Sequence, residues 1–458
     1  MTMIISINPA TGQEIARYAL DAAADVELKL DGAARAQACW KRSSMAERAA
    51  LLRSVAAVLR AQRDSLAAII TSEMGKPIAE AEGEIEKSAW TCEFYAESGP
   101  AFVGDVPVPS SAADSRVVFD PLGVVLAVMP WNYPLWQFVR CAAPAIIAGN
   151  AVLLKHANNV PHSALEIERI FREAGAPQGL VSTLMIQAEQ VASVLGDTRV
   201  AAVALTGSTA VGKIVASQAG SLMKKQVLEL GGSDPFIVLA DADLSLAAKT
   251  AVKARFSNTG QSCISAKRFI VENAIADEFV ALFRAEAEKL KVGNPLDRST
   301  TIGPMARANL RGELDGQVRR TIAAGARIVL GGKPIEGPGF FYAPTIIDQV
   351  TSGMPAAVEE TFGPAAAIIR AANADAAIDI ANETEFGLGA ALWTSDLDRA
   401  YRLTRRIEAG AVFVNALVAS DPRLPFGGIK QSGYGRELGE FGIREFTNVK
   451  TVWFGQAA

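Results

Sequence analysis

The chain has 458 residues, 50% hydrophobic and 21% charged, with a formal net charge of -4. That length exceeds one hydrophobic core and predicts two or three domains, and the acidic balance argues against nucleic-acid or anionic-membrane partners. Four scattered cysteines (Cys39, Cys92, Cys141, Cys263) and only two histidines (His156, His162) fit reduced thiols in a cytoplasmic protein and argue against a metal site.

Residues 1–6 show no basic segment followed by an apolar core, so no export signal is read. From 35 to 97, apolar residues recur at three- and four-residue spacing, which predicts helix. A Pro-rich stretch (Pro100, Pro107, Pro109) then leads into 115–120, read as an edge hairpin or an extension from the main body. The uncharged stretch 122–139 approaches membrane-span length, but Pro130, Asn132 and Pro134 lie within it and Arg140 follows. A spanning helix would not carry those at its centre, so the reading is a buried strand running into an irregular functional loop.

Strands are expected at 124–129, 151–154, 182–186 and 200–205, with helices at 162–174 and 189–195 between them. The second half repeats this alternation. Strands are expected at 235–239, 268–271, 327–330, 365–369, 389–393 and 410–414, and helices at 244–257, 277–291 and 309–324. The fold class is therefore α/β, with two doubly wound Rossmann-like domains and a small β extension for oligomerisation. Residues 1–102 and 122–231 are assigned to the cofactor-binding domain and 232–432 to the catalytic domain. Residues 103–121 and 433–458 form the bridging segment. The last run, 445–454, alternates like a strand and needs a partner, either the 101–120 hairpin or a neighbouring subunit.

Cys263 sits in a small-residue loop, Asn258-Thr259-Gly260-Gln261-Ser262, and Glu229 stands beside a Gly-Gly turn. A thiolate attacks carbonyl carbon and leaves from a thioester, and a carboxylate can draw a proton from water. The competing reading is a buried core thiol and a helix-capping Glu. Gly207-Ser208-Thr209-Ala210-Val211-Gly212 follows a strand and opens a helix, a place where phosphate can meet backbone N–H groups; an ordinary capped helix reads the same way. Pro130-Trp131-Asn132-Tyr133-Pro134 comes straight after a buried strand, and Asn132 can offer an amide N–H to an oxyanion.

With these residues in place, the chain resembles the aldehyde dehydrogenase superfamily along its whole length. The motifs are Pro130-Trp131-Asn132-Tyr133-Pro134, Leu154-Lys155, Leu205-Thr206-Gly207-Ser208, Glu229-Leu230-Gly231-Gly232, Gly260-Gln261-Ser262-Cys263, Glu360-Thr361-Phe362-Gly363-Pro364 and Pro425-Phe426-Gly427-Gly428, continuing through Glu437. The resemblance implies Cys263 as nucleophile, Glu229 as the base for water and Asn132 as oxyanion donor. It places Lys155 on the adenosine ribose, Ser208 with Gly207 and Gly212 at the pyrophosphate, Trp131 beside it, and Glu360 with Phe362 at the nicotinamide ribose. Where many NAD-using members carry a Glu, this chain has Asn158, which admits a 2′-phosphate, so NADP is favoured over NAD.

Arg140 lies where succinate-semialdehyde dehydrogenases of the superfamily place a carboxylate-binding Arg, and Ser420 matches a substrate-contacting Ser of their short branch. The second Arg of some relatives is Ser257 here, and the neighbouring Cys of certain relatives is Ser265. The expected reaction is NAD(P)-dependent oxidation of succinate semialdehyde, or of another semialdehyde or a medium-chain or aromatic aldehyde. A homodimer or homotetramer is expected.

Overall fold

The structure, a computed structural model, describes residues 3–456. Its first sheet has six strands in the order Gly433–Tyr434, Lys225–Glu229, Val200–Thr206, Val124–Met129, Ala151–His156, Val181–Thr183. All pairings in it are parallel except that of the short Gly433–Tyr434 edge. The chain runs outward from Val124–Met129 on one side, then returns to its other flank with Val200–Thr206. That reversal opens a crevice at the carboxyl ends of these two strands, the usual ligand position in doubly wound sheets. Pro130 and Gly207 are the residues that follow them.

The second sheet has seven strands, ordered Arg327–Leu330, Thr345–Val350, Ala365–Ala371, Ala266–Glu272, Asp234–Val238, Gly389–Trp393, Ala411–Val414. Only the Arg327–Leu330 edge is antiparallel. The two sheets are joined through 230–233, so the Gly231-Gly232 turn is the bridge between them. A third, three-stranded sheet pairs Thr447–Phe454 with Asp114–Pro121, and that strand with Val106–Pro107. The terminal strand therefore finds its partner in the hairpin of its own chain.

Three sequence readings need correction. The helical stretch 35–97 is four helices, Ala23–Trp40, Met45–Ala61, Arg63–Met74 and Ile78–Phe102. They are separated by a capping box at Ser44 and Glu47 and by Gly75 in the left-handed region. The loop expected up to 139 is short, because a helix begins at once at Pro134 and runs to Ile147. Proline suits a first helical turn, and every residue of this helix is buried. Finally, 433–458 is not one bridging segment. Gly433–Tyr434 pairs with Leu228 and Glu229, and Tyr95 donates to the carbonyl of Gly439 at 3.1 Å, so this part lies with the first sheet. Among the described residues, no helix is long and apolar enough to cross a membrane.

Gly433 has φ +110°, and a Cβ there would lie 2.0 Å from the Leu228 carbonyl oxygen. Gly433→Ala should therefore cost about 2 kcal/mol and lower the thermal midpoint by several degrees. An unchanged melting curve would show that this edge pairing is not rigid.

Candidate active site

The loop before Cys263 is built from strain and buried donors. Asn258, Thr259 and Gly260 all have positive φ (52°, 55° and 70°), a conformation the first two adopt only under tertiary constraint. Gly260 cannot gain a side chain, since a Cβ would meet the Gly363 carbonyl at 2.4 Å. This winding turns the carbonyls of residues 260–263 inward, where side chains meet each one. Arg255 donates to Gly260 O (3.4 Å), Asn132 Nδ2 to Gln261 O (2.9 Å), and Lys267 Nζ to Ser262 O (2.9 Å) and Cys263 O (2.6 Å). In a trans peptide the C=O and the following N–H point in opposite directions. With Ser262 O turned to Lys267, the Cys263 N–H faces the other way. Asn132 spends one amide N–H on Gln261 O and keeps a second.

Two cavities meet at Cys263. The first, about 270 Å³, lies in the crevice of the first sheet and is lined by Trp131, Asn132, Gly207, Ser208, Glu360 and Phe362, with Cys263 at its end. Trp131 and Phe362 pack edge to face, 5.7 Å between centroids. The helix Thr209–Ser221 points its N-terminus here, capped by Ser208, and leaves Val211 and Ile214 exposed one turn further on. Glu360 is docked on the inter-sheet turn: it accepts from Gly232 N at 3.0 Å and lies 3.7 Å from Lys267 Nζ. The second cavity, about 330 Å³, reaches Cys263 from the opposite side and includes Arg140, Ser420, Lys87, Tyr133, Trp136 and Phe426. Gln137 lines both.

Burial dominates the electrostatics. It pushes the Cys263 thiol up to about 12, although Arg140 and Lys267 pull it down. Glu229 is buried, neither of its carboxylate oxygens has a hydrogen-bond partner, and burial holds its pKa far above the usual carboxylate range. Neighbouring Glu437 adds to that rise and Arg140 opposes it. Burial thus favours the uncharged form of both groups.

The residues the sequence singled out here, with this geometry, can form and hydrolyse an acyl thioester. A family model for the aldehyde dehydrogenase family matches residues 2–452. The chain belongs to the aldehyde dehydrogenase family. It is 48% identical over 452 residues to the NAD(P)+ succinate semialdehyde dehydrogenase of Escherichia coli (strain K12), covering 99% of this chain and 98% of that protein. It is 47% identical over 458 residues to the NADP(+) succinate-semialdehyde dehydrogenase of Mycobacterium avium (strain 104), covering 99% and 97%. Among solved structures it superposes with TM-score 0.97 on the succinic semialdehyde dehydrogenase of Streptococcus pyogenes in complex with NADP+, at 37% identity, covering 99% of this chain and 100% of that one.

Within this aldehyde dehydrogenase the other expected site residues are placed as follows. Gly212 does not line the crevice. A Cβ there would come 2.5 Å from the Leu230 side chain, so it is a packing glycine that seats the helix on the sheet. Lys155 and Asn158 stand just outside the cavity wall at the carboxyl end of Ala151–His156, bonded to each other (Nζ to Oδ1, 2.7 Å), with Asn158 Nδ2 donating to Gln187 Oε1 at 2.7 Å. Glu229 lines neither cavity. Arg140 does line the second cavity, but its guanidinium is not a free fork. Its Nε pairs with Glu437, its Nη2 donates to Thr206 Oγ1 at 3.3 Å, and its plane lies 4.8 Å over Phe426. A guanidinium this deeply buried needs a counter-charge, and Glu437 supplies it.

Sequence reasoning missed Arg255, which also donates to Thr361 O (2.9 Å) and Gly363 O and so ties the Cys263 loop to the Glu360 loop. It also missed Lys87, Gln137 and the exposed pair Val211 and Ile214. Apart from their spacing on helices, no local signal marks these residues.

A thiol held well above its ordinary pKa predicts slow alkylation. Iodoacetamide labelling of Cys263 in the cofactor-free protein, followed by peptide mapping, should accelerate through the alkaline range without levelling off near the ordinary thiol pKa of about 8.5. A plateau near neutrality would mean that Arg140 and Lys267 outweigh burial.

Proposed function

We propose that this protein oxidises succinate semialdehyde to succinate with NADP or NAD through a thioester on Cys263. The observation that carries the reading is the position of Cys263 where the two cavities meet, one beneath a helix N-terminus and one ending in cationic and hydroxyl groups. The names of its relatives support the same substrate.

The first cavity fits a dinucleotide by its own chemistry. The helix at Thr209 offers unbonded N–H groups and a positive dipole end to a pyrophosphate. Exposed Val211 and Ile214 give an apolar face for a base, and Lys155 with Asn158 would hold the adenosine ribose. Asn158 presents no negative charge to a 2′-phosphate, so NADP is accepted along with NAD. Glu360 and Phe362 would position the nicotinamide ribose. When bound, NAD(P)+ supplies the acceptor for a hydride.

In the reaction, Cys263 releases its proton to solvent and its sulfur attacks the aldehyde carbon, forming a C–S bond while the C=O π pair moves onto oxygen as an alkoxide. Asn132 Nδ2 and the Cys263 N–H hold that oxyanion. The C–H electron pair departs as hydride, and a thioester remains on Cys263. Glu229 turns out from beside Arg140 and Glu437 toward solvent, where it ionises, and as a carboxylate it takes a proton from water; the resulting hydroxide displaces the Cys263 thiolate, which recovers that proton from Glu229. One aldehyde, one NAD(P)+ and one water yield one carboxylic acid, one NAD(P)H and one proton. In the second cavity Arg140 and Ser420 provide the field and hydroxyl for the distal carboxylate, which orients the carbonyl at Cys263.

We infer a homodimer or homotetramer as the working form: the terminal strand is an edge that leaves Val449, Trp453 and Phe454 exposed. Free cysteines fit action in the cytoplasm.

Absorbance of reduced cofactor should rise rapidly with succinate semialdehyde and slowly with butyraldehyde; equal rates would return the function to a general aldehyde oxidation. Glu229→Gln should keep a first burst of reduced cofactor and lose steady turnover, and a missing burst would make Glu229 the base for Cys263 instead. Asn158→Glu should shift the NADP-to-NAD preference toward NAD by about tenfold or more, read from kcat/KM with each.

A further inference from the structure

We propose that Lys87 is the specificity residue for the semialdehyde carboxylate, receiving it together with Ser420. The inference deepens the succinate semialdehyde reading and rests on it.

Helical spacing places Glu80, Glu84 and Lys87 of the helix Ile78–Phe102 along one wall of the second cavity. Two of the three are already engaged. Glu80 accepts from Asn258 N at 2.6 Å, and exposed Lys253 at the rim adds a favourable charge to it. Glu84 is ion-paired with buried Lys76 and also accepts from Leu135 N (2.9 Å) and Trp136 N (3.1 Å), where it caps the helix Pro134–Ile147.

Lys87 is different. Its Nζ donates to Ser420 Oγ at 2.7 Å and lies 4.4 Å from the centroid of the Trp136 ring. Among the described residues no carboxylate comes within ion-pair distance of it. Asp421, next to Ser420, is held by both Nε (2.9 Å) and Nη2 (2.7 Å) of Arg423. Arg140, the other cation of this cavity end, has its charge met by Glu437. The pocket is thus one carboxylate short.

Burial, with the nearby Arg140 charge, pulls the Lys87 ammonium down to about 8, although Asp421 and Glu84 oppose it from beyond ion-pair distance. Ser420 accepts from Lys87 and still has its own proton to donate. An ammonium and a hydroxyl side by side, beside an aromatic face, make a charge-assisted seat for one carboxylate. A succinate semialdehyde reaching from Cys263 brings that group; butyraldehyde brings a methyl and leaves Lys87 unmatched.

The test compares wild type, Lys87→Met and Lys87→Arg, each shown to be folded by its melting curve. The readouts are kcat/KM for succinate semialdehyde and butyraldehyde, and inhibition of butyraldehyde oxidation by succinate. Lys87→Met should lower the semialdehyde-to-butyraldehyde ratio by about tenfold or more, chiefly through KM for the semialdehyde, and weaken succinate inhibition in parallel. Lys87→Arg should recover most of both. If wild type discriminates and Lys87→Met discriminates equally, Lys87 is overturned while the substrate assignment stands. If wild type shows neither preference nor succinate inhibition, the substrate assignment falls and Lys87 with it.

Discussion

The site depends on one constraint: the left-handed winding of Asn258, Thr259 and Gly260, which turns successive carbonyls into the protein. Inward carbonyls far from water must each find a donor, and a buried one left unpaired costs on the order of 1–3 kcal/mol. Arg255, Asn132 and Lys267 supply those donors from a helix, a crevice loop and a strand. Satisfying the carbonyls is also what faces the Cys263 N–H the other way and fixes Asn132 beside it. The local strain is therefore held by tertiary hydrogen bonds, and the same bonds preorganise the reacting groups.

Around that loop the charges are arranged so that most are answered from within. Arg140 and Glu437 compensate each other, as do Lys76 and Glu84, while Glu229 stays buried without a hydrogen bond. Desolvation raises both Cys263 and Glu229 above their ordinary values. Glu229 lies near enough to add to the rise of the Cys263 thiol. The inter-sheet turn at Gly231-Gly232 brings Glu360 of the second sheet onto the crevice of the first.

Much of the architecture was legible because parallel strands buried on both faces read as short apolar runs, and 124–129, 200–205, 365–369 and 389–393 all did so. The helix Pro134–Ile147 was not legible: it is buried on every side and follows directly on a buried strand, so the apolar run reads as continuous, and Pro134 and Pro144 lie within it. Its cap comes from Glu84, 51 positions away in the chain, so no local start signal exists beyond Pro134. The edge strand Gly433–Tyr434 is only two residues long and is defined by its pairing to Glu229, not by its own composition.

By itself, the sequence determined the fold class and the family motifs, including those that carry Cys263, Glu229 and Asn132, because those depend on residue type and order along the chain. Only the tertiary structure decided which charges remain free. Arg140 lines the second cavity as the sequence suggested, and folding brings Glu437 against it, while Lys87 and Ser420, separated by 333 positions, come within hydrogen-bond distance. The physical reason is that a buried ion's role is set by its counter-charges, and those arrive from segments whose separation along the chain carries no record of their contact.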